Sequence, residues 1–235
     1  MTSETKQKIQ LFLVLALLVA GVRTAYIFYE RWAPEKSSEA PPLNPDYYVV
    51  PKKLYPYDLK SARQLTEQPV WVKEGYRYTY YPYRRGHADF SHEAGQLLPL
   101  EKLAIKDVVT DRTPGSPDEQ QIMAVFEQDG QSYAFPIGSI KRGNYRIYSD
   151  EMLYIQDPHQ LYKHWPSEVW QAIDQHQVMP GMSELQVDFS IGFGLLEGSG
   201  LSNVRTLNYP NGGKPLRITF RDGKAAEIQP SPGQA

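Results

Sequence analysis

Cysteine is absent from the 235 residues. That absence removes disulfides, thiolate metal sites, cysteine nucleophiles and lipid attachment through a thiol. An excess of one charge is lacking as well. Lys and Arg number 25 against 27 Asp and Glu, a formal net charge of -2. Nucleic-acid binding usually demands a basic face, so no nucleic-acid partner is expected. Signatures for cofactors and nucleophiles are missing too. Gly192-Phe193-Gly194 and Gly198-Ser199-Gly200 are glycine-rich, but no lysine follows as in a P-loop, and Glu197 has the wrong sign for phosphate. Gly181-Met182-Ser183-Glu184-Leu185 lacks the second glycine of a nucleophile elbow. No cofactor is expected, and the protein reads as non-enzymatic. A hydrolase would need a pocket of His and carboxylates assembled from distant residues.

Metal binding is also poorly served by the spacing. His87 and His92 lie five apart, as do His159 and His164, with His176 beyond. On a helix of 3.6 residues per turn, partners five apart diverge by about 140°, whereas zinc-binding pairs stand four apart. His92-Glu93 begins like a metalloprotease motif, but Gln96 occupies the second histidine's place. No metal site is expected.

What is present begins with an apolar segment. Residues 9–29 read IQLFLVLALLVAGVRTAYIFY, and as a helix they would rise roughly 31 Å, about the thickness of a bilayer core. Tyr26, Tyr29 and Trp32 follow Arg23 at the depth of an aromatic belt. The expectation is a single-pass transmembrane helix over 9–29 after a cytoplasmic tail (1–8), with the C-terminal body on the outer side of the inner membrane. The alternative is a cleaved signal peptide that releases a secreted globule. Residues 30–57 form a proline-rich linker: Pro34, Pro41, Pro42, Pro45, Pro51 and Pro56 stiffen the chain and supply no ladder hydrogen bonds.

The body reads as α+β. Val70-Trp71-Val72-Lys73 and residues 76–80 flank Glu74-Gly75 as a hairpin; residues 102–109 read as a strand, and residues 113–118 as a loop. Residues 122–126 and 133–137 flank Asp129-Gly130, the clearest hairpin signal in the chain. Residues 145–148 and 152–155 complete a β-rich module (58–156), with a bent SH3-like sheet or barrel as one candidate form. The α+β part (157–229) contains helices over 158–164 and 166–176, each opened by proline, and a helix capped by Ser183. A glycine-rich mobile loop then leads into a three-strand meander of residues 203–209, 216–221 and 225–228, and residues 230–235 read as a frayed tail.

The run Val178-Met179-Pro180-Gly181-Met182-Ser183, with Gln186-Val187 and Gly192, resembles the helix-opening motif of the BamE-like (SmpA/OmlA) family of bacterial envelope proteins. The resemblance covers about fifty residues. It implies a small α+β unit and a role in binding partner proteins during envelope assembly. The cysteine that anchors the family's lipoproteins is missing here.

Candidate binding residues come from an aromatic stripe. Tyr76, Tyr78 and Tyr80 alternate, so a strand places them on one face, with Arg77 and Arg84 interspersed. Such a face docks a protein partner or stacks on a glycan when exposed, and stabilises the sheet when packed inward. The expected role is a protein-interaction or assembly module of the cell envelope, with cell-wall glycan as the alternative ligand.

Overall fold

The computed structural model describes residues 3–32, 43–75, 77–198 and 203–231. The chain divides into two compact units, residues 1–47 and 48–235. The first unit is built on one long helix, α1 (Ser3–Trp32). Its Leu and Ala content favours the helix, and the Thr24 hydroxyl donates to the Ala20 carbonyl at 2.8 Å.

The expected transmembrane helix over 9–29 is corrected here, together with the single-pass topology and the inner-membrane location that depended on it. The segment is helical, but among the described residues no helix is long and apolar enough to cross a membrane. The physical reason is the length of the uninterrupted run. Residues 11–22 are uncharged and then Arg23 intervenes. Twelve residues rise about 18 Å, well short of the roughly 30 Å of a hydrocarbon core.

In the second unit α2 (Leu59–Ala62) follows an Asp58 cap, which closes a capping box with Ser61. Next come β1 (Val70–Val72), β2 (Tyr78–Arg84), β3 (His87–Ala88), β4 (Gly95–Leu97) and β5 (Lys102–Leu103). The long strands β6 (Ile105–Thr113), β7 (Ser116–Gln128) and β8 (Gln131–Lys141) lead to β9 (Asn144–Ile147), a helical turn α3 (Ser149–Met152) and β10 (Leu153–Tyr154). Short helices α4 (Pro158–Leu161), α5 (Ser167–Asp174) and α6 (Glu184–Ile191) precede β11 (Leu195–Glu197), β12 (Val204–Tyr209), β13 (Leu216–Arg221) and β14 (Lys224–Pro230).

The described strands form three antiparallel sheets. Seven make the largest, in the order β3-β2-β8-β7-β6, with β4 also on β2 and β9 on β8. The outer side of β6 carries no described strand, so these pairings form an open sheet. Asp129-Gly130 turns β7 into β8, with Gln128 opposite Gln131. The expected loop over 113–118 is shorter than predicted. Pro114 and Gly115 alone turn β6 into β7 and Thr113 pairs with Ser116, because the polar residues beyond the turn still find ladder partners.

The expected hairpin around Glu74-Gly75 does not form. Strand β1 pairs instead with β10 and β5 in a three-stranded sheet, while β2 belongs to the large sheet. Burial on both faces explains the choice. Val70 and Val72 enter a core with Phe126, Phe135 and Ile137, whereas Trp71 joins a second core with Trp165, Trp170 and Phe189. On β10, Leu153 and Tyr154 divide in the same way. The small sheet is therefore the partition between two cores, and a strand apolar on both faces belongs in such a place.

The C-terminal sheet has four strands, β11-β12-β13-β14, one more than the expected meander. Leu195 pairs with Asn208 and Glu197 with Thr206. Part of the glycine-rich segment is thus a strand. The inner face sets Leu207, Tyr209, Ile218 and Phe220 against α5 and α6. Residues 49–56, the last part of the expected linker, belong to the second unit: the Lys52 amide donates to Gln156 Oε1 at 2.7 Å, and Pro56 is buried.

Candidate functional site

The tyrosine stripe is spent mainly on packing. Tyr76 lies outside the described residues. Tyr78 and Tyr80 are half-buried against the core under the large sheet, and Tyr80 meets Phe126 and Tyr133 edge-on, at 5.5 and 5.2 Å. Tyr81 and Tyr83 pack on the opposite face with Met123, Val125 and Ala134. Arg77 reaches the turn over Asn211–Gly213, where a Cβ on Gly212 would collide with its guanidinium. Arg84 is exposed at the end of β2. Of the candidate residues, Tyr80 alone borders a described cleft.

That cleft, of about 450 Å3, is bordered by Tyr80, Gln96, Glu101, Gln128, Asp174 and His176, with apolar residues beneath them. Two bulky residues in left-handed backbone conformation shape it: Leu100 at φ 60° and His176 at φ 52°. His176 stands just past the end of α5. Its amide donates to the Ile173 carbonyl at 2.9 Å, and the Gln177 amide to the Ala172 carbonyl at 2.8 Å, the double closure that usually takes glycine. A histidine here costs roughly 1–2 kcal/mol relative to glycine. Its imidazole is fixed by a 2.8 Å contact from Nδ1 to the Ser190 carbonyl. A carbonyl can only accept, so Nδ1 carries hydrogen and Nε2 is the acceptor of the neutral ring. Across the cleft, the Leu98 amide donates to Glu101 Oε2 at 3.0 Å. Burial, followed by the Glu101 carboxylate, pushes the Tyr80 hydroxyl above its usual pKa, and Tyr133 and Asp129 add to the effect. The phenol therefore stays a donor at neutral pH. No serine, threonine or cysteine is among the described residues bordering the cleft. The cleft is thus bordered by carboxylates, amides, an imidazole and a phenol.

The other four histidines do not border the cleft, and His164 lies beside the Tyr162 and Trp165 rings, with centroids 6.1 Å away in each case. His87 Nδ1 lies 3.1 Å from Asp111, and His92 Nδ1 3.0 Å from Asp89. His159 stacks on Trp170 with centroids 4.1 Å apart and stands 3.1 Å from both Asp157 and Asp174. Among the described residues no group of three or more His, Asp or Glu could hold a metal ion.

Two acids set among apolar residues went unmarked in the sequence, Glu74, which is half-buried, and Asp188, which is buried. Glu74 accepts from the Tyr154 hydroxyl at 2.7 Å, and burial raises its pKa. Asp188, on α6, is pushed up to about 7, first by burial and then by the Glu184 carboxylate. Its Oδ1 and the Tyr209 hydroxyl are both buried without a hydrogen-bond partner of ordinary geometry. Above Glu74, the Phe193 ring lies over Gly75 so closely that a Cβ there would overlap it. Only hydrophobic surroundings mark these acids, and one-dimensional patterns do not reveal them.

A further surface feature is the outer edge of β11. Phe193, Leu195, Leu196 and Val204 are 44%, 69%, 46% and 43% exposed, and among the described strands β11 is paired on one side only, with β12. No family model, curated protein or solved structure matches this chain.

Proposed function

We propose that this protein is a non-enzymatic protein-interaction module that takes an extended segment of a partner along the free edge of β11. The observation that carries the reading is the chemistry of that edge. Exposed edge strands are ordinarily blunted by lysine, proline or a bulge; here two adjacent leucines, one on each face, border unpaired backbone. Added strands gain main-chain hydrogen bonds from such an edge, and alternate side chains give specificity. Beside it, Glu197 is held by Arg217 at 2.7 Å and Glu184 by Arg205 at 3.0 Å, so the rim is polar around an apolar centre. Tyr78 and Tyr80 spend their faces on the core, which leaves the edge as the better docking surface. The resemblance of residues 178–192 to the BamE-like family, whose members bind partner proteins, points the same way.

A photoreactive amino acid at position 195 should capture one defined protein in the native host, and Leu196→Pro should abolish that capture while the thermal midpoint stays near wild type. Proline removes a ladder donor at an edge that can tolerate it. Identical capture by both forms, or none from position 195, overturns the reading.

A further inference from the structure

We propose that the cleft bordered by Tyr80, Gln96, Glu101, Gln128, Asp174 and His176 binds a guanidinium group, carried either by an arginine side chain of a polypeptide or by a free arginine derivative. The inference is independent of the β11 edge. It rests on the balance of donors and acceptors around the cavity. Glu101 and Asp174 bring carboxylates, Gln96 and Gln128 each bring an amide oxygen beside an NH2 group, and His176 presents Nε2 because its other nitrogen is committed to Ser190. No lysine or arginine is among the described residues bordering the cleft, so anionic ligands such as phosphates meet an unfavourable field. A third acid, Asp129, acts on Tyr80 from nearby.

Several acceptors around one cavity suit a ligand with several donors. Guanidinium offers five N–H groups in a rigid plane and pairs with carboxylates in a fork, whereas an ammonium is a compact point charge. About 450 Å3 is room enough for an arginine side chain. The backbone at both sides is held in place. Leu100 donates its amide to the Val72 carbonyl at 2.8 Å and Glu101 its amide to Leu98 at 3.2 Å, while the closure after α5 fixes His176. Both Asp174 oxygens stand near His159 Nε2, at 3.1 and 3.3 Å, so Glu101 is the principal acid of the cleft.

The test is calorimetric titration of the full chain with Nα-acetyl-arginine amide, its citrulline counterpart, and a short peptide containing one arginine. The arginine compounds should bind, and the citrulline compound should bind at least about tenfold more weakly because it lacks the charge. Glu101→Gln keeps an acceptor for the Leu98 amide and should weaken arginine binding at least about tenfold. Gln96→Lys, at an exposed position on β4, places an ammonium at the rim and should do the same, with the thermal midpoint reporting the fold of both variants. Equal affinity for peptide and free derivative identifies a small-molecule site; binding of the peptide alone identifies a partner's side chain. Leu196→Pro should leave all of this unchanged, which separates the cleft from the β11 edge. Citrulline binding as tightly as arginine, wild-type affinity in Glu101→Gln, or no heat with either arginine probe overturns the proposal.

Discussion

Asp188 enters the fold without a counter-charge of its own. Arg205, which acts on the neighbouring Tyr209 hydroxyl, is paired with Glu184 at 3.0 Å, and Glu74 adds a further carboxylate to the surroundings. Its pKa of about 7 against an ordinary 3.8 has a definite consequence for stability. Below the ordinary value the group is protonated in both folded and unfolded chains and costs nothing. As pH rises from about 4 to about 7, the unfolded chain loses the proton and the folded chain keeps it, so stability falls. The loss amounts to a few kcal/mol, at about 1.4 kcal/mol per pH unit. Urea denaturation at intervals from pH 4 to 8 should show Asp188→Asn with a flatter profile than wild type over that window. Parallel profiles for the two proteins would remove Asp188 from the account. His176 carries a comparable lesson at the same scale. Its type and position were plain in the sequence, but its left-handed backbone and its bond to Ser190 depend on where α5 stops and on what α6 brings beside it.

At the scale of elements, short-range chemistry was well written in the chain and partner choice was not. The cap of α6 is an example of the first. Ser183 accepts from the Gln186 amide at 3.3 Å, and Gln186 accepts from the Ser183 amide at 2.8 Å, a reciprocal box within four consecutive residues. Ser183→Ala should therefore destabilise the protein by about 1 kcal/mol, read as a shifted urea midpoint with an unchanged slope. A cost below a few tenths would mean that packing of Val187 and Phe189 holds the helix without its cap. The strand Val70–Val72 shows the limit. Its composition announces a strand, but three residues apolar on alternating faces fit a hairpin and a two-sided partition equally well. Only the presence of two cores decides between them. Residues 195–197 failed for another reason. Glycine on both sides reads as a loop, and the pairing of Leu196 with Leu207 is a contact across eleven residues that no local pattern contains. The cleft was less legible still, since Tyr80, Glu101 and His176 come from separate parts of the chain.

At the scale of the molecule, the question is how much of the chain the fold requires. All three hydrophobic clusters draw their members from residues 49 onward: Val49 and Leu54 are the earliest residues packed against them. Among the described residues, the second unit, residues 48–235, thus supplies every member of these clusters, and its length lies within the ordinary range of an independently folding domain. In α1, by contrast, Phe12, Leu15, Leu18, Val22 and Phe28 are exposed at 59–72%, a large apolar surface that favours self-association in water. A chain reduced to residues 48–235 should accordingly unfold in one cooperative transition, with the three sheets intact by circular dichroism and with arginine binding preserved. It should also stay monomeric at concentrations where the full chain associates. Loss of the cooperative transition on truncation would show that residues 1–47 supply part of the folding energy. Sedimentation velocity and thermal melts on the two lengths, run side by side, separate that outcome from a simple gain in solubility, because solubility alone leaves the midpoint and its steepness where they were.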